Sequence, residues 1–135
     1  MSPADILLVE DNAEDAEATM QALRSGSLAG ALHWVKDGEE ALEYLLCTGR
    51  YAGRDIRQPP RLVLLDIWMP KVDGIELLLQ RGRTSELNHV PVVVMTSCEE
   101  ERHVLASYHL GIHGYLAKPL NLDDVADTVS KIGIS

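Results

Sequence analysis

Two cysteines, Cys47 and Cys98, are all the sequence contains, and their isolation fits no metal-binding or thiol-redox pattern. They read as free thiols of a reducing compartment. Basic residues are scarce as well: 12 Lys and Arg stand against 21 Asp and Glu, a formal net charge of -9. That balance opposes phosphate backbones and anionic lipid, so neither nucleic acid nor membrane is an expected partner. No apolar run approaches the ~20 residues of a membrane span. Met1-Ser2-Pro3-Ala4-Asp5 lacks the basic and apolar regions of a signal peptide, which makes the expected location cytoplasmic. There is no internal repeat and no linker.

What is present suits one globular domain. The 135 residues are 46% apolar and 24% charged, and a chain of this length buries about two-thirds of its unfolded surface. The stretch Leu62-Val63-Leu64-Leu65-Asp66 organises the rest. Four apolar residues run unbroken into one carboxylate, as in a strand buried on both faces of a parallel sheet. Ile6-Leu7-Leu8-Val9 is a similar run ending in Glu10-Asp11, and Val92-Val93-Val94-Met95 is a third, ending in Thr96-Ser97. Ala31 to Val35 and Gly114-Tyr115-Leu116-Ala117 read as shorter strands, the second ending in Lys118-Pro119.

Helical patterns separate the strands. Asn12 can cap a helix from Ala13 to Arg24, with Ala13, Ala16, Met20 and Leu23 on one face. Asp37-Gly38-Glu39-Glu40 resembles a capping box and opens a helix that Gly49 should stop. Arg50 to Arg61, with Gly53, Pro59, Pro60 and four arginines, reads as a solvated surface loop rather than a binding patch. Asp73-Gly74 leads into a helix that Gly82 should fray or end. Glu99 to Leu110 is expected to be helical, and Asn121 should cap a last helix. His103, His109 and His113 match no zinc motif and read as structural. Five alternations of strand and helix predict a doubly wound α/β fold, a parallel sheet with helices on both faces.

In such a sheet the strand ends share one edge, where ligands bind. Glu10, Asp11, Asp66, Thr96 and Lys118 would then converge. Close carboxylates repel unless a cation sits among them, and oxygen ligands with few protein contacts suit Mg2+. A carboxylate beside such an ion can act as a nucleophile and form an aspartyl phosphate.

Glu10-Asp11, Leu65-Asp66 with Met69-Pro70 and Asp73-Gly74, Thr96-Ser97, and Gly114-Tyr115-Leu116-Ala117-Lys118-Pro119 together resemble the receiver domain of two-component response regulators. The resemblance spans nearly the whole chain. It implies a flavodoxin-like fold with strand order 2-1-3-4-5, a single receiver domain over residues 1–135, and no output domain. It implies that Asp66 accepts a phosphoryl group from a histidine kinase. It implies Mg2+ held by Asp11, Asp66 and the main-chain carbonyl of Trp68, with Glu10 acting through water. Thr96 and Lys118 would contact the phosphoryl oxygens, and Tyr115 would switch rotamer with Thr96.

The long loop before Pro59-Pro60 is similar to that of stand-alone regulators paired with phytochrome-type kinases. Partners would be that kinase and a downstream or phosphotransfer protein. The exit face, and a homodimer contact, would comprise the helix over 99–110, the last strand and the last helix. The chain would not be an enzyme, though it would assist its own phosphorylation and dephosphorylation.

Two other readings stay open at this point. A small-molecule phosphatase would use the same aspartyl phosphate, but would usually carry a second acid where Trp68 stands. An unphosphorylated receiver-like interaction module would not need its acids, Thr96 and Lys118 intact.

Overall fold

The computed structural model describes residues 6–25, 32–66, 74–96, 111–118 and 121–132. The described elements are, in order, β1 (Ile6–Val9), α1 (Ala13–Ser25), β2 (Leu32–Val35), α2 (Gly38–Leu46), a 3-10 turn (Gly49–Tyr51), β3 (Leu62–Asp66), α3 (Gly74–Arg83), β4 (Val92–Thr96), β5 (Gly114–Ala117) and α4 (Leu122–Ile132). All pairings are parallel, in the order β2-β1-β3-β4-β5. This is the flavodoxin-like, doubly wound sheet. The helix expected over Glu99 to Leu110 lies outside the described residues.

The three unbroken apolar runs are the three central strands, and every residue of β1, β3 and β4 is buried. Alternate side chains feed two cores. Leu7, Val9, Val63, Leu65, Val92 and Val94 meet Ala41 and Leu45 of α2 and Leu77 and Leu78 of α3. Ile6, Leu8, Leu62, Leu64, Val93 and Met95 meet Ala16 and Leu23 of α1 and Val125 of α4. Truncating one such leucine to alanine costs about 2–5 kcal/mol. A strand hydrophobic on both faces is therefore held from both sides, and its polar C-terminal residue is left at the sheet edge.

The caps follow the expected chemistry. Asn12 Oδ1 accepts from the Asp15 amide at 3.0 Å. Asp37 Oδ1 accepts from the Glu40 amide at 2.8 Å, and Glu40 reaches back to the Lys36 amide at 3.1 Å rather than to that of Asp37. Asn121 Oδ1 accepts from Asp123 at 2.8 Å.

The end of α2 departs from expectation. Helix α2 ends at Leu46, not at Gly49, because Cys47 itself takes the left-handed conformation at φ 57. Its amide closes on the Glu43 carbonyl, and Gly49 instead opens the 3-10 turn at φ 51. Helix α3 ends at Arg83, one residue past Gly82, which agrees with a glycine near its end. Gly82 faces open space, so it costs helix propensity but no contact.

The segment over 50–61 is no merely solvated loop. Arg54 is buried, with its guanidinium 3.7 Å from the Tyr44 ring centroid. It donates to the Tyr44 carbonyl and, at 3.2 Å, to that of Gln58. Arg50 pairs with Glu43 at 2.8 Å and Arg57 with Asp55 at 3.1 Å. Three of the four arginines thus have partners within the same neighbourhood.

Candidate phosphoryl-acceptor site

The parallel register sets the site. Glu10 follows β1, and its amide donates to Val35 O at 3.1 Å. Asp66 ends β3 beside Met95, and Thr96 ends β4 beside Ala117. The Lys118 amide donates to Thr96 O at 2.9 Å, so β5 delivers the lysine to the same edge. The expected convergence is present.

The acids have unequal surroundings. Glu10 is fully buried, Asp66 is 9% exposed, and Asp11 is exposed. One carboxylate oxygen from each lies within 4.8 Å of the others. The Lys118 ammonium bridges Glu10 Oε2 at 2.9 Å and Asp66 Oδ2 at 3.1 Å, with Asp15 Oδ2 at 3.6 Å. Glu10 Oε1 also accepts from the Asn12 amide at 3.3 Å.

Burial pushes Glu10 up to about 7, against the pull of the Lys118 hydrogen bond, and the Asp66 charge adds to the rise. Burial pulls Lys118 down, but its hydrogen bonds to Glu10 and Asp66 outweigh that and leave it above its ordinary value. For Glu10, desolvation dominates its one strong partner; for Lys118, two carboxylates dominate desolvation. The lysine therefore keeps its proton between the two acids.

The donor set fits a small hard cation. All three groups are carboxylates. Oxygens around an octahedral Mg2+ stand about 3–4 Å apart, so modest closure of the trio suffices. Asp11 on the exposed side leaves an approach for an ion that keeps part of its water. Thr96 is buried at 4% exposure, one strand from Asp66. Tyr115 is half-buried and packs against the core on the α2 and α3 side. Trp68 and Cys98 lie outside the described residues, as do His103 and His109. His113 is structural: its Nδ1 accepts from the Val92 amide at 3.2 Å.

Sequence reasoning missed two contributors. Asp15 approaches Lys118 only because the Asn12 cap sets the first turn of α1. The indole Nε1 of Trp34 donates to the main-chain carbonyl of Glu10 at 2.8 Å. An aromatic on a short strand carries no signal for such a bond.

The response regulator receiver domain matches residues 6–130. The chain is 41% identical to the probable methanogenesis regulatory protein FilR2 of Methanothrix harundinacea (strain 6Ac), over 96% of this chain and 81% of that one. It is 36% identical to the response regulator Rcp1 of Synechocystis sp. (strain ATCC 27184 / PCC 6803 / Kazusa), over 96% and 86% of the two chains. The crystal structure of the Mn2+-bound form of Rcp1 is similar at a TM-score of 0.75 and 35% identity, covering 98% of this chain and 91% of that one. The structure of the bacteriophytochrome response regulator AtBRR is similar at a TM-score of 0.90 and 40% identity, covering 100% and 94%. With its acids, hydroxyl and lysine gathered at one sheet edge, the chain belongs to the response regulator receiver domain family.

Proposed function

We propose that this chain is a phosphorylation switch in which Asp66 accepts a phosphoryl group from a histidine kinase and the modified chain signals or relays through protein contacts. The observation that carries this reading is the Lys118 ammonium held between Glu10 Oε2 and Asp66 Oδ2. It fixes a positive charge against Asp66, the carboxylate that is the last residue of β3.

Asp66 Oδ attacks the phosphorus of a phosphohistidine. The P–N bond breaks, its electron pair returns to the imidazole, and that nitrogen takes a proton. Transfer of this kind asks for positioning and charge stabilisation more than for covalent help. Asp11 and Asp66, with Glu10 acting through water, would hold a Mg2+ ion, which would supply positive charge to the phosphoryl oxygens. Lys118 supplies a second charge from the β5 end, and Thr96 offers a hydroxyl from the β4 end. Tyr115, in the strand beside β4, is the candidate for carrying the change outward with Thr96.

The chain assists this transfer and the later hydrolysis of the aspartyl phosphate, in which water attacks phosphorus and inorganic phosphate leaves, and turns over no free substrate. AtBRR, a bacteriophytochrome response regulator, supports a kinase of the phytochrome type. The Mn2+ of Rcp1 supports a divalent ion in the acidic site. Among the described residues no helix is long and apolar enough to cross a membrane.

Incubation with Mg2+ and acetyl phosphate should add the mass of one phosphoryl group, and Asp66→Asn should abolish the addition. Equal labelling of that variant would move the acceptor elsewhere.

A further inference from the structure

Asp11 is exposed, yet both peptide planes that flank it are tied down. The plane on its C-terminal side is held through the Asn12 amide, which donates to Glu10 Oε1 at 3.3 Å. The plane on its N-terminal side is held through the Glu10 carbonyl, which accepts from Trp34 Nε1 at 2.8 Å. The Glu10 amide is the last rung of the β1–β2 ladder, donating to Val35 O at 3.1 Å.

In a continuing parallel ladder the next bond, to Glu10 O, would come from the amide two residues beyond Val35. That residue is Asp37, which has already turned away to cap α2. The Trp34 indole takes the place of the missing rung. Its ring packs against the core shared with α1 and α4, with Lys36 Nζ 5.9 Å from the ring centroid, so the donor is held by its own surroundings.

We infer that Trp34 is a positioning residue for the metal centre: its indole N–H fixes the peptide that aims the Asp11 carboxylate. The inference rests on the proposed role of Asp11 as a metal ligand. Partners behind a metal ligand typically change affinity when removed, because they hold the ligand in its binding orientation. Trp34→Phe keeps an aromatic plug while removing the indole donor together with part of the ring volume.

Two measurements on the full chain test this. In the first, free Mn2+ is followed by electron paramagnetic resonance during titration of the parent and of Trp34→Phe. The parent should bind one ion, and the variant should bind it about tenfold more weakly. In the second, the indole N–H resonance of Trp34 is followed during Mg2+ titration of the parent, and it should shift in step with ion binding. A folded variant that binds Mn2+ as tightly as the parent overturns the inference and leaves the metal site intact. If the variant does not fold, the indole signal decides: a resonance unmoved at saturating Mg2+ overturns the inference. A parent that binds no Mn2+ removes the metal site itself, and the positioning role with it.

Discussion

Lys118 Nζ stands 2.9 Å from Glu10 Oε2 and 3.1 Å from Asp66 Oδ2, so one ammonium serves two carboxylates from different strands. The side chains of Glu10 and Asp66 are 1% and 12% exposed, so water offers them little relief. Lys118→Met would leave both acids facing each other. Removing one partner of a buried pair strands the other charge, and the loss here should be about 2–4 kcal/mol near pH 8 without divalent ions. Glu10, already raised to about 7, should rise further in this variant, so acid should recover part of the loss. Glu10→Gln should act in the opposite sense and leave the metal-free protein as stable or more so. Urea unfolding of the three proteins at two pH values measures this. A Lys118→Met protein as stable as the parent near pH 8 would remove the lysine from its central place.

Arg54 ties the segment over 50–61 to α2. It stacks on Tyr44 and donates to the Tyr44 and Gln58 carbonyls. Arg54→Ala should cost about 2–3 kcal/mol, combining a desolvated cation–π contact with lost charge-assisted hydrogen bonds. Arg54→Lys should rescue little, because an ammonium cannot reproduce the planar fork. Limited proteolysis should cut within residues 49–61 sooner in both variants, with phosphorylation by acetyl phosphate unchanged. Equal protease resistance of parent and Arg54→Ala would show that the segment is held by something else.

Histidine chemistry predicts a loss of stability in mild acid. Tyr51 donates its hydroxyl proton to Glu40 Oε2 at 2.7 Å, so its oxygen accepts from His33 Nε2 at 2.9 Å. His33 also stacks on Tyr44 at 4.7 Å. Burial lowers His33 below its ordinary 6.5, although the Glu40 charge pulls it back. A depressed folded-state value means that the stabilisation is complete above 6.5 and is lost as pH falls through the folded value. His113 adds the same sign. Glu10 opposes both, since its raised value costs the fold stability as pH rises toward about 7. The readout is therefore a difference: from about pH 7 to 5, His33→Gln should lose less stability than the parent. Parallel stability curves would exclude His33 as a source.

The β4–β5 pair should report the phosphorylated state. Val94 pairs with Tyr115 and Thr96 with Ala117. A phosphoryl group on Asp66 gives Thr96 and Lys118 a new partner, and such differential contact is what can shift a two-state equilibrium. Amide exchange at Thr96 and over residues 115–118 should change on adding beryllofluoride with Mg2+, and should not change in Asp66→Asn. An unchanged pattern in the parent would leave Tyr115 a core residue.

The sheet was legible because its signal is coarse. Unbroken runs such as Leu62 to Leu65 have no plausible home but a strand covered on both sides, and the strand ends then fall on one edge by topology. That brought Glu10, Asp11, Asp66, Thr96 and Lys118 together from sequence. Features that depend on one atom reaching another were not legible. Arg54 counts as positive charge in any composition-based reading, yet the Tyr44 ring and two carbonyls draw it inside. Cys47 adopts a left-handed backbone that glycine would take more cheaply, so the helix stops two residues before the glycine that signals its end. Trp34 reads as an ordinary strand aromatic, because its partner is a carbonyl 24 residues away.

Glu10 and Lys118 are 108 residues apart in sequence, and that distance imposes a calendar on the growing polypeptide. β1 and β3 can pair, and so bring Glu10, Asp11 and Asp66 together, while the segment carrying Lys118 is still inside the ribosome. During synthesis at about 5–20 residues per second, the nascent chain passes through seconds in which the acids have met and their lysine has not arrived. Divalent ions of the surrounding medium can occupy that interval. Refolding of Lys118→Met, which never leaves it, should accordingly be hastened by Mg2+ more than refolding of the parent.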